Sequence, residues 1–368
     1  MLRIEAPGAR VAASLFVAGL AFMGCLALPA FAQHHDDMMA PPGAPETYPS
    51  LHIRGFTDFD YTSSDAHDGR VSGFELGQFV LHMVSPLSKK VTYFGEVSAT
   101  PKTTQFVFEV ERTFIRYDYD DAIKVSVGRY HTPIGYWNTA YHHGLWLQTT
   151  IRRPEQVQIG GTFVPVHFIG LLAEGKLPSG PIGLAYAAGV GNGRSEVLSR
   201  GGDAGDPNPN RAWIAQLLAR PSQLFGFEAG GSVYRDQLTM AVGPAIGEWI
   251  MSGHAVWTRE TPELLGEVIA VQHENLTTGA TFSSQAFYVQ AAYRLPGKAK
   301  PVKPYGRFER IDVANGDPVY AFPDLQVVTG GVRLDLSDLA ALKAEYRNEW
   351  PKGTDRVNAL LLQACFTF

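Results

Sequence analysis

Beyond Leu51 the chain is cut into stretches of roughly 10–14 residues in which apolar and polar side chains alternate, the pattern of tilted membrane-crossing strands. This period of two constrains the fold more than any other feature. From Leu342 onward, Leu342, Ala344, Tyr346 and Trp350 fall on one side, and Lys343, Glu345, Arg347 and Glu349 on the other. From Glu248, the residues Trp249, Met251, Gly253, Ala255 and Trp257 share a face with a tryptophan near each end, opposite Glu248, Ser252, His254 and Thr258. An extended backbone sends successive side chains to opposite faces. Each stretch therefore has one greasy side and one wet side. No stretch after the N-terminus stays apolar for the ~20 residues that a membrane-crossing helix needs.

Sixteen such stretches are expected, give or take two: 51–62, 72–85, 90–100, 106–119, 122–131, 164–177, 181–190, 211–220, 223–235, 247–258, 263–273, 283–295, 303–312, 325–335, 340–350 and 355–368. The connections between them are unequal. Those after even stretches are short, such as Pro86 to Lys89, Asp120-Asp121 and Pro221-Ser222. Those after odd stretches are mostly longer: 132–163, 191–210, 236–246 and 313–324, with short exceptions at 101–105 and 351–354. Short turns on one side and long loops on the other match a closed barrel inserted from one side of a membrane. The expected fold is all-β, an antiparallel transmembrane β-barrel of about sixteen strands. One stretch breaks the rule. In 106–119, Glu109 and Glu111 share one parity while Arg112 and Arg116 take the other, which calls for a β-bulge of unknown position.

The N-terminus reads as an export signal. Arg3 and Arg10 precede an apolar run from Val11 to Leu28, closed by Ala30-Phe31-Ala32 as an A-x-A site. Residues 1–32 are expected to be cleaved. An acylated Cys25 would need a lipobox that Phe22-Met23-Gly24 does not make. After cleavage only Cys365 remains, so no internal disulfide is possible. The polar, Pro-rich segment 33–50 reads as a flexible periplasmic leader, its His/Met cluster offering at most weak copper or zinc affinity. The barrel is expected over 51–368. The formal charge of −5 gives no basic excess for nucleic acid. At the other end, Leu360, Leu362, Ala364, Phe366 and Phe368 share a face and finish on an aromatic. This resembles the C-terminal strand that the barrel-assembly machinery of outer membranes recognises.

The longest connection, from Thr132 to about Gly161, carries Ile134, Tyr136, Trp137, Tyr141, Leu145, Trp146 and Leu147. A surface loop this aromatic is a liability in water. It is expected to fold inward, against the barrel wall. The passage Gly128-Arg129-Tyr130-His131-Thr132-Pro133-Ile134-Gly135 is similar to the one that opens the third loop in porins of the phosphate-selective and related sixteen-strand type. Pro304 to Glu309 and Leu342 to Arg347 look like their late lumen-facing strands. The resemblance implies a porin-like channel in the bacterial outer membrane, with outer-membrane lipid and lipopolysaccharide around it, and a possible homotrimer. It does not carry over phosphate selectivity, since no ladder of Lys/Arg faces one way.

On that reading a constriction is expected from Trp137, His142, His143, Trp146, Arg152, Arg153 and Glu155 of the loop. Arg307, Glu309, Arg333, Lys343, Glu345 and Arg347 would line the lumen wall and set a transverse field that screens small polar or charged solutes. These wall charges could equally pair only with each other. Neither a cofactor nor a metal is expected: adjacent His142 and His143 point to opposite sides, and His131 is distant in sequence. Two alternatives stay open. One is a barrel enzyme acting on lipids through a Ser-His pair, with Ser252, His254 and His167 as candidates though none is marked as activated. The other is a structural or adhesive barrel whose lumen the loop blocks.

Overall fold

The computed structural model describes residues 47–66, 72–102, 104–141, 143–158, 163–194, 198 and 202–368. The expected signal peptide and most of the expected leader lie outside them. So does His142.

Sixteen antiparallel strands close into one barrel, each paired to its sequence neighbours and β1 to β16. In chain order they are β1 (His52–Ser64), β2 (Gly73–Pro86), β3 (Val91–Lys102), β4 (Gln105–Asp118), β5 (Lys124–His131), β6 (His167–Lys176), β7 (Leu184–Asn192) and β8 (Ala212–Ala219). Then come β9 (Phe227–Leu238), β10 (Ile246–Trp257), β11 (Glu263–Asn275), β12 (Thr281–Ala292), β13 (Val302–Asp312), β14 (Leu325–Ser337), β15 (Ala340–Pro351) and β16 (Val357–Thr367). The expected all-β barrel and its strand number hold.

The period of two sorts the side chains as the sequence implies. On β15, Lys343, Glu345, Arg347 and Glu349 are buried inward while Leu342 and Tyr346 are exposed outward. On β16, Leu360 and Leu362 face out and Leu361, Gln363 and Cys365 face in. Exposed Phe108, Val110, Leu171, Val268, Val289 and Val332 extend this apolar outer surface around the barrel. Such an outside is stable only against hydrocarbon.

The bulge on β4 has a definite place. Glu96 pairs with Arg112 and Val97 with Val110, so Glu111 is the extra residue. Glu111 and Arg112 consequently both turn inward, and both are buried. The parity conflict in this stretch is thereby resolved.

The seam between the chain ends is sealed by main chain. Gly55 N–H donates to Phe368 O at 2.8 Å, and Phe368 N–H to Gly55 O at 3.0 Å. The Phe368 ring lies over Gly55, where a Cβ would stand only 2.3 Å from the ring. A glycine is needed there for the terminal aromatic to lie flat on the sheet.

Candidate functional site: a loop anchored across the lumen

The connection 132–166, here loop L3, leaves the wall after β5, and its described residues run through the interior. Thr132 N–H still bonds Val166 O at 3.0 Å, so the two ends of the loop continue the ladder by one step. Pro133 has no N–H and ends it. Gly135, at φ +69°, then turns the chain inward, with a would-be Cβ 1.9 Å from Glu267 Oε1. Only glycine can make this turn against that carboxylate. Asn138 braces the root, its Nδ2 donating to Thr132 O at 2.7 Å and Val166 O at 3.2 Å. A single helical turn, α1 (Trp137–Ala140), follows.

A backbone that leaves regular structure inside a barrel must still satisfy its N–H and C=O groups. Wall charges do this for L3. Glu267 on β11 accepts the N–H groups of Tyr136 and Trp137 at 3.0 and 3.1 Å. Glu345 accepts from Ile151 at 2.8 Å and Arg152 at 3.3 Å, and Glu309 from Glu155 at 2.6 Å. The carbonyls are met by cations. Arg307 donates to Arg152 O at 2.9 Å and Arg153 O at 3.2 Å. Arg333 donates to Trp146 O at 2.6 Å and Gln148 O at 3.0 Å, and Lys343 to Leu145 O and Thr150 O at 2.5 and 3.0 Å. Arg347 pairs with the Glu155 side chain and with Glu349.

The six wall residues singled out from the sequence therefore converge on the loop, and all six are buried. The loop residues divide. Trp137 is fully buried, edge-on to Tyr288 with centroids 5.8 Å apart and with the Arg307 guanidinium 5.7 Å from its own ring. Trp146 is half-buried beneath Arg333. Arg153 is buried, and desolvation pulls its proton affinity down against the opposing pull of Glu111 and Glu96. Arg152, by contrast, gives its backbone to the wall and leaves its side chain exposed. Glu155 is intermediate.

His143 enters a cluster that no sequence pattern marks. Its Nδ1 lies 3.0 Å from Glu96 Oε1 and its Nε2 3.6 Å from Glu111 Oε1. His82 of β2 reaches the same Glu96 oxygen at 3.2 Å, and His131 stands 3.9 Å from the other. Arg112 pairs with Glu96 as well. His167 Nε2 lies 3.3 Å from Glu111 Oε2, and its Nδ1 lies 3.0 Å from Arg129 Nη2. The members come from five strands, β2 to β6, and from L3, so no local spacing could reveal the group. Among the described residues no set of three or more His, Cys, Asp and Glu is arranged to hold a metal ion.

A second inward segment, 313–324, follows β13 and so leaves the barrel wall at the same end as L3. Asp317 takes His273 Nδ1 at 2.9 Å, while His273 Nε2 bonds Glu248 at 3.1 Å. Arg194 reaches Glu248 at 3.3 Å, and Tyr320 Oη donates to Phe163 O of L3 at 2.6 Å. Burial raises the Asp317 carboxyl, but hydrogen bonds from His273 and from the Val319 and Tyr320 N–H groups hold it below the usual aspartate range.

Ser252 and His254 share a face but serve different partners. The Ser252 hydroxyl meets Ser232 Oγ at 2.6 Å and the Gly135 N–H at 3.0 Å; His254 Nε2 meets Glu228 at 3.2 Å. His167 is committed to Glu111 and Arg129.

No protein-family model matches the chain, and no curated protein sequence matches it. Solved structures do. An anion-selective porin from Comamonas acidovorans is similar with a TM-score of 0.65 at 12% identity, over 87% of this chain and 100% of that one. The outer membrane channel DcaP of Acinetobacter baumannii is similar at 0.60 and 11%, over 87% and 98%. OmpT of Vibrio cholerae, an outer membrane protein in its trimer form, is similar at 0.57 and 13%, over 88% and 100%. The closed sixteen-strand barrel agrees with these likenesses: the chain has the fold of the bacterial porins.

Proposed function

We propose that this protein is an outer-membrane channel for passive diffusion of small polar or charged solutes, with L3 as its constriction. The observation that carries the reading is the anchoring of L3 through its own backbone to wall charges on β11, β13, β14 and β15. Once those charges are spent on the loop, the exposed side chain of Arg152 becomes the group best placed to act on a passing ion. The neighbours named as channel and porin support the same reading. The trimer form of one of them supports a homotrimer here. The apolar outer face would meet outer-membrane lipid and lipopolysaccharide, and the β16 strand ending at Phe368 would be read by the barrel-assembly machinery. Catalysis is not part of the proposal, because neither Ser252 nor its neighbours form a serine–histidine pair among the described residues.

Purified protein in planar bilayers should give stepwise conductance. Replacing Arg152 by Ala should shift the reversal potential in a salt gradient. Silent bilayers would overturn the channel reading, and an unmoved reversal potential would remove Arg152 from the pore. One observation favours a second reading: Ile134, Trp137, Thr150 and Val157 of L3 have no exposed surface, as in a barrel whose lumen the loop seals. In that case conductance would appear only after the loop is removed.

A further inference from the structure

The outward-facing residues at the loop end of β13 to β16 form a polar row that the channel reading does not use. We propose that this row binds the phosphate group of an outer-leaflet glycolipid, held by Arg356 against Trp350. The site rests on the reading of the outer face as lipid-bound and gives it a specific partner.

Register places the row. Arg310 pairs with Gln326, and Gln326 with Trp350. The last β15–β16 pair joins Glu349 to Val357, so Trp350 and Arg356 stand opposite each other one step further on. Gln326 and Trp350 share the parity of exposed Val328 and Tyr346, whereas Val327 and Glu349 are buried inward. The row therefore faces away from the lumen. It lies where β13 and β15 end, on the side from which L3 and 313–324 depart. Long connections mark that side as the outer one.

Depth follows from the next row toward the middle of the wall. Phe308, Val328, Asn348 and Asn358 pair in succession, and Tyr346 Oη donates to Asn358 Oδ1 at 2.7 Å. Apolar side chains give way to amides at this level. A tyrosine hydroxyl stands at the boundary, as such rings do where hydrocarbon meets headgroups. The row beyond it is at headgroup depth.

Its chemistry suits an anion. Gln326, Trp350, Pro351, Thr354 and Arg356 line a cleft of about 470 Å³, and no carboxylate is among them. The exposed Arg356 guanidinium lies 5.4 Å from the Trp350 ring and meets no acid among the described residues. It presents paired N–H groups in the geometry that a phosphate accepts. The Thr354 hydroxyl and the Gln326 amide add donors. An adjoining cleft of about 200 Å³ does hold acids, but Asp312 takes Arg310 at 2.8 Å and Asp324 takes Lys352 at 2.8 Å. Asp355 is exposed and does not line the larger cleft. Basic clefts at this depth are the kind that take lipid headgroups.

The test titrates purified full-length protein in detergent with bisphosphorylated lipid A and with the same lipid stripped of its phosphates, binding being read by native mass spectrometry. The wild type should bind the phosphorylated form at least ~10-fold more tightly. Arg356→Gln, in an exposed turn outside the strand ladder, should bring the two forms within ~2-fold. Lys298→Gln, which removes a cation at the opposite, short-turn end, should keep the preference. Equal wild-type affinity for the two lipids would overturn the site. So would a preference that survives Arg356→Gln, or one lost equally in Lys298→Gln. An excess of inorganic phosphate should leave the lipid bound; displacement would assign the cleft to free phosphate and overturn the lipid claim. Phosphate-dependent lipid binding with silent bilayers would uphold the site and sink only the channel, and stepwise conductance without that preference would do the reverse.

Discussion

The Arg307 guanidinium donates from Nη1 to the carbonyl oxygen of Arg152 at 2.9 Å, across 155 residues of chain, while its Nε bonds Glu309 at 2.8 Å. One wall cation thus holds a loop backbone and neutralises a neighbour that itself accepts the Glu155 N–H. Removing it takes a charged donor from a buried carboxylate and from two carbonyls, leaving Glu309 with Arg347 at 3.4 Å, Arg152 O with the Thr150 hydroxyl and Arg153 O with Gln158. Arg307→Ala should cost about 3 kcal/mol of loop docking. Exchange protection over 150–157 should fall while the strand ladder stays protected.

Glu267 makes a different kind of anchor. One oxygen takes two successive N–H groups, and Tyr288 Oη lies 3.3 Å from the same oxygen. Glu267→Gln keeps the shape but loses the charge, and should cost about 1–2 kcal/mol. The loss should be local, seen as faster exchange at Tyr136 and Trp137 with residues 150–155 unchanged. Uniform loosening of the whole loop would mean that the anchors do not act separately.

Gly135 should tolerate no side chain. Its φ of +69° and the 1.9 Å approach of a Cβ to Glu267 act together, so Gly135→Ala should cost about 2 kcal/mol or more. The barrel should still assemble, judged by heat-modifiable mobility in gels, while the loop's first turn moves. A variant with unchanged exchange at Tyr136 and Trp137 would contradict this geometry.

The segment 313–324 should respond to pH through Asp317. The Asp317 carboxyl is held low by its hydrogen bonds, so the docked form binds fewer protons than the released form. Its contribution is complete above the ordinary aspartate value and is lost as pH falls through the lowered one. Corrected exchange at Val319 and Tyr320, whose N–H groups bond Asp317, should stay flat down to about pH 4 and rise below it.

The fold was legible because a barrel writes itself into sequence twice, through alternation along strands and through unequal turns. Boundaries slipped where turn residues are themselves apolar: β9 starts at Phe227 rather than 223, since Leu224 and Phe225 belong to the preceding turn and Phe225 continues the strand's apolar parity. The wall charges Arg307 to Arg347 could be placed inward by parity, but parity does not tell what an inward charge touches. Their partners are backbone groups of L3, and backbone groups leave no trace in residue identity. The His82, Glu96, Glu111, His143 and His167 cluster was hidden for another reason. It depends on the registers of five strands and on the Glu111 bulge, which swings a second acid inward beside Arg112.

The measurement that tests the account most directly compares single-channel conductance of the intact protein with a variant in which 136–157 are replaced by a short Gly-Ser linker. If anchored L3 occupies the lumen, the linker variant should conduct with steps several-fold larger and with less ion discrimination. Steps of equal size in the two proteins, both correctly assembled, would contradict it.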